Sequence, residues 1–72
     1  MKQEVYHDSK MILSTEYDKD TQVLEVTFNN NNVYAYYNFP EGEYEAMIEA
    51  DSIGKFFLQF IKNEYDWDSL DS

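Results

Sequence analysis

Seventy-two residues without a cysteine make one small domain, with no disulfide or thiolate metal site, that is marginal in stability unless its core is rich in large rings. Aromatic residues make up 18% of the chain, seven of them Tyr, and supply that area. Fifteen acids against five lysines and no arginine give a net charge of −10, which repels phosphate backbones and counts against general nucleic-acid binding.

The opening, Met1 to Val5, has no apolar run of signal-peptide length, and no segment is long enough to span a bilayer. A cytoplasmic protein without a membrane role is expected. Residues 1–8 read as a flexible lead-in, 9–67 as the folded domain and 68–72 as an acidic tail. Met11 to Tyr17 reads as a first strand, and Asp18 to Thr21 as a turn in which Asp side chains bond back to nearby amides. Val23 to Phe28 alternates cleanly, with Leu24, Val26 and Phe28 on one face, as a half-buried strand requires. The four asparagines Asn29 to Asn32 tolerate left-handed backbone angles and read as a hairpin loop. Val33 to Phe39 is the third strand, with Tyr34 and Tyr36 on one side and Val33, Tyr37 and Phe39 on the other.

Pro40 ends the sheet and opens a helix, where its missing N–H costs nothing. Tyr44, Met47 and Ile48 form that helix's apolar stripe. Asp51 or Ser52 caps a second helix, in which Ile53, Phe56, Phe57, Phe60 and Ile61 fall at helical spacing and predict one buried face. Gly54 in its first turn is expected to allow close backbone packing. The sum is an α+β fold: a three-stranded antiparallel meander followed by two helices packed on one sheet face.

Chemistry is thinly supported. The single histidine, His7, lies in the segment least expected to be rigid, so no Ser/His/Asp arrangement is indicated. Asp18-x-Asp20 and Asp66-x-Asp68 lack the remaining ligands of a calcium loop. No cofactor, metal or catalytic residue is expected. Ser52, Lys55 and Lys62 are the candidate anion contacts, although a plainly capped helix start explains Ser52 as well. Glu41, Glu45 and Glu49 recur at i, i+4 and i+8, about 6 Å apart along a helix, and Asp51 extends the row. Like charges so placed weaken their own helix. They form a candidate partner surface, together with Tyr34, Tyr36 and Tyr37 on a sheet whose second face is left open, where a homodimer seam is also expected.

Two strings carry a family resemblance. The first is Leu24-x-Val26-x-Phe28, the asparagines, Val33-Tyr34-Ala35-Tyr36 and Pro40. The second is Ala50-x-Ser52-x-Gly54-Lys55-Phe56-Phe57, then Ile61 and Tyr65. Together they resemble the KTSC domain, a short module found alone in bacterial and phage-type proteins and at the C-terminus of some lysyl-tRNA synthetases. The Asn run stands where such sequences usually carry a glycine. The resemblance implies an interaction module, and the family's proposed RNA role would rest on Tyr34 and Tyr36 with Lys55 or Lys62. The acidic balance favours instead a non-enzymatic module that binds a protein with a basic surface, in the manner of small phage-type inhibitors that mimic nucleic acid.

Overall fold

In the computed structural model of the protein, residues 2–70 are described, with Lys2 and Gln3 as backbone alone. Five antiparallel strands lie in chain order: β1 (Lys2–Tyr6), β2 (Ile12–Asp18), β3 (Val23–Phe28), β4 (Val33–Tyr36) and β5 (Trp67–Ser69). Between β4 and β5 the chain crosses the sheet as α1 (Glu41–Glu49) and α2 (Ile53–Phe56), the latter continuing into a π turn over Phe57–Ile61. The α+β meander with two helices is as expected, but the sheet has two more strands than the three foreseen. The expected lead-in contains β1, which pairs with β2 from Lys2↔Asp18 to Tyr6↔Ser14. The expected tail begins inside β5, which pairs with β4 through Tyr34↔Ser69, Ala35↔Asp68 and Tyr36↔Trp67. Asp71 and Ser72 lie outside the described residues.

The hairpins follow local chemistry. Asp18 Oδ1 accepts from the Asp20 amide at 2.9 Å and turns the chain between β2 and β3. Between β3 and β4, Asn31 takes φ 70°, the Asn30 side chain accepts from the Asn32 amide at 3.0 Å, and the Phe28 amide donates to the Asn32 carbonyl at 2.9 Å. An asparagine thus supplies the left-handed angle for which glycine is the usual choice.

One sheet face packs under the helices. Tyr17, Leu24, Val26 and Tyr36 meet Tyr44 and Met47 of α1 and Ile53, Phe57 and Ile61 of the second helical segment. Tyr17 stacks on Tyr44 with ring centroids 4.8 Å apart, and its hydroxyl donates to the Phe39 carbonyl. Thr15 Oγ1 shares a hydrogen bond of 3.2 Å with the Tyr44 hydroxyl and one of 2.8 Å with His7 Nε2. His7 is therefore half-buried and tied to the core rather than loose in solvent.

The second helix departs from the expected periodicity. The Lys62 amide donates to Phe57 O at 3.0 Å, an i→i+5 bond that widens the turn. Residues four apart then share a face better than residues three apart. Phe57 and Ile61 both point inward, while Phe60, expected in the core, is 46% exposed and rests on Phe56. Gly54 is buried as expected, but a methyl group there would meet Met11 Cβ at 3.6 Å and Ser9 Oγ at 3.8 Å, ordinary contact distances. Close approach therefore does not demand the glycine.

Replacing Tyr17 by Phe leaves the fully buried Phe39 carbonyl without its donor, and urea unfolding should record a loss of about 1–3 kcal/mol. Gly54→Ala should raise the unfolding free energy in the same measurement, by up to about 1 kcal/mol, since the helix gains propensity without a clash. Burial holds the His7 imidazole below its ordinary pKa. Protonation therefore favours the unfolded chain, whose histidine titrates near about 6.5. Stability from this site is complete above that pH and falls as pH drops through the lower folded value. A pH series of unfolding midpoints should show this fall in the parent and a flatter curve in His7→Gln.

Candidate binding surfaces

The sheet's two faces are chemically opposite. On the helix side the helices stop short of the β3–β4 hairpin and leave an open cleft of about 340 Å³. Its rings touch in sequence. Phe57 meets Phe28 with centroids 5.3 Å apart, Phe28 meets Tyr34 at 5.5 Å, and Tyr34 stacks on Trp67 at 5.2 Å with planes 19° apart. Leu58 and Lys62, four residues apart across the π turn, form the helical wall, and Asn30, Asn32 and Asn63 supply polar groups. Among the described residues that line this cleft there is no carboxylate, in a chain with fifteen. Trp67 and Leu58 remain half exposed there, at 50% and 55%.

The opposite face carries acids. The register places Glu4, Glu16 and Glu25 directly across from one another on β1, β2 and β3, and continues through Ala35 to Asp68 on β5. Strand spacing puts the three glutamates within about 10 Å. Glu16 and Glu25 each keep an interaction within the fold, so the row is a set of aligned carboxylates and not of unpaired ones. Tyr37 lies on this side, and its hydroxyl donates to Asp68 Oδ2 at 3.0 Å, a bond to a carboxylate that raises the phenol's pKa. No reading of strand alternation alone reveals the row, because it needs the cross-strand register and the existence of β1 and β5.

The residues singled out from the sequence are distributed as follows. Glu41, Glu45, Glu49 and Asp51 are all exposed, the first three along α1. Tyr36 is 2% exposed with its ring edge-on to Phe57, and burial pushes its pKa up to about 12, so it forms cleft floor and core. Tyr34 is half-buried in the cleft, and Tyr37 lies on the other face. The Ser52 hydroxyl caps α2 by accepting from the Lys55 amide at 3.3 Å. Lys55 borders a second depression that also holds Asp8 and Asp51, whereas Lys62 lines the aromatic cleft, so the three candidate anion contacts do not converge. Among the described residues no group of three or more histidines and acids is placed to hold a metal, and no helix is long and apolar enough to cross a membrane. Trp67 and the cleft it walls were not among the expected site residues.

Residues 8–65 match the KTSC domain. The chain belongs to the KTSC domain family. It is similar to the KTSC domain protein of Yersinia pestis, whose crystal structure superposes with a TM-score of 0.93 at 31% identity, over 99% of this chain and all of that one. It is 37% identical over 57 residues to an uncharacterised protein of Stutzerimonas stutzeri, covering 79% of this chain and 80% of that protein. It is also 30% identical over 63 residues to a lysine–tRNA ligase of Nostoc punctiforme; the match takes 88% of this chain but spans only 11% of the ligase. The KTSC unit thus occurs both at nearly full length and as a small part of a large enzyme.

Proposed function

We propose that this KTSC protein is a non-enzymatic binding module whose carboxylate-bearing sheet face docks on a basic surface of a protein partner. The observation that carries the reading is the cross-strand row of Glu4, Glu16 and Glu25, extended by Asp68. Carboxylates aligned across neighbouring strands present a repeated anionic surface that complements a partner's cations. The exposed glutamates of α1 add to a field that steers basic partners from a distance. Charge spacing of this kind complements the phosphate-binding groove of an enzyme that acts on nucleic acid, and occupancy of that groove would inhibit the enzyme in the cytoplasm. A second copy of the chain is a poorer occupant, because a symmetric pairing brings carboxylates together. The aromatic cleft lacks the lysines and arginines that an RNA platform interleaves with its rings, having Lys62 alone among its described lining residues.

The reading is tested with the triple variant Glu4→Gln, Glu16→Gln and Glu25→Gln against a panel of purified nucleic-acid-processing enzymes, at low and high salt, with a tRNA gel shift alongside. Parent protein should bind and inhibit at least one enzyme at low salt, lose that binding as salt rises, and leave tRNA unshifted. The variant should bind more weakly while still unfolding in a single cooperative thermal transition. Equal inhibition by the variant, or a tRNA shift at low salt, would sink the proposal.

A further inference from the structure

The aromatic cleft and the carboxylate row occupy opposite faces of the sheet, and β5 carries a member of each at the sheet's outer edge: Trp67 on one face, Asp68 on the other. We infer that the partner enters as an extended segment with alternating apolar and basic side chains, adding antiparallel to the free edge of β5 as a sixth strand. The inference rests on the reading of the module as a receptor for a basic protein, and gives that partner a backbone conformation and a residue pattern.

The backbone at this edge is set for addition. The Leu70 amide donates to the Val33 carbonyl at 2.8 Å, and the Asp66 carbonyl accepts from the Tyr37 amide at 3.0 Å. Even-numbered residues here turn their polar backbone groups toward β4. Antiparallel alternation turns those of Trp67 and Ser69 outward, to the side where no described strand pairs. All three residues of β5 are exposed.

Side-chain chemistry sets the period. A residue placed opposite Trp67 projects on the helix side, against a half-exposed indole at the mouth of a cleft with no described carboxylate, where an apolar group is favoured. The next residue projects on the other side, opposite or diagonal to Asp68, where it prolongs the row of acids and a lysine or arginine is favoured. Strand addition of this kind takes affinity from main-chain bonds and specificity from alternate side chains. The opposite edge, β1, also borders the row through Glu4, but the aromatic cleft lies on the β5 side. Asp66 and Asp68 at the edge further discourage β5 from pairing with its own copy while leaving it open to a basic strand.

Trp67 is the chain's single tryptophan and reports on this edge directly. The intact protein is titrated with a short capped peptide of alternating valine and lysine while Trp67 emission is followed. Three comparison peptides are used: one of the same composition with all valines before all lysines, one methylated on the valine amides and one methylated on the lysine amides. The alternating peptide and its lysine-methylated form should give a saturable change. The block-sequence and valine-methylated peptides should bind about tenfold more weakly or less. Ser69→Pro removes an outward N–H and no bond to β4, a change an edge strand tolerates, and should weaken the alternating peptide by about tenfold while thermal unfolding stays unchanged. Equal binding by the block-sequence or valine-methylated peptide overturns strand addition, even where Ser69→Pro proves unstable. If those peptides bind equally and the triple glutamine variant loses inhibition of the enzymes, the acidic-face reading survives and strand addition falls. If the alternating peptide is preferred but the triple glutamine variant inhibits the enzymes as the parent does, strand addition stands and the acidic-face reading falls.

Discussion

The architecture depends on one buried junction, where the ring of Tyr17 lies flat on Tyr44 and gives its hydroxyl proton to the carbonyl of Phe39. Three separate pieces meet there: the second strand, the first helix and the segment that leaves the fourth strand. The junction fixes how far α1 stands from the sheet and the angle at which the chain turns off β4 into Pro40. Phe39 also packs on Tyr65 at 4.6 Å, which brings the chain back from the second helix toward the sheet. In a domain with so few residues, rings do this work because each covers much area and, in tyrosine, carries a polar end that can satisfy a buried backbone group. Among the described residues no buried side-chain polar atom is left without a partner, so the polar ends do not weaken the core they help to build.

Much of this could be read from the chain itself. The alternation of Leu24, Val26 and Phe28, the asparagine run and Pro40 each act through local sterics or hydrogen bonding, and each stands where expected. The outer strands could not be read in the same way. Lys2–Tyr6 and Trp67–Ser69 are short and polar, and they become strands only because β2 and β4 offer them edges. Such long-range pairing leaves little trace in local composition. Phe60 failed for a different reason: a turn of i→i+5 bonding changes which residues share a helix face, and the apolar spacing alone is compatible with either geometry. The candidate site inherits both difficulties. Its cleft needs β5 to place Trp67 and the π turn to place Leu58 and Lys62, whereas the glutamates of α1 follow from simple helical spacing and are found where expected.

The division of charge gives the domain its character. Fifteen acids are present, yet the cleft's described walls contain none, while four of them line up across the far side of the sheet. Net charge alone describes a uniformly anionic particle. The arrangement is instead that of a two-sided sheet, with a carboxylate-free aromatic cleft on one side and a row of carboxylates on the other, separated by the thickness of one layer of strands. Kinship with a protein of similar length and with a small part of a ligase shows the same unit in two very different covalent settings.

Neighbouring strands pair in the order they occur, except that thirty residues of helix and turn (37–66) intervene before the last one. The first four strands can close through short loops as synthesis delivers them, each hairpin forming without waiting for distant sequence. The fifth must await both helical segments. A chain cut just short of Trp67 would therefore keep the pairings of its first four strands and lose the wall and the edge where we place the partner's strand.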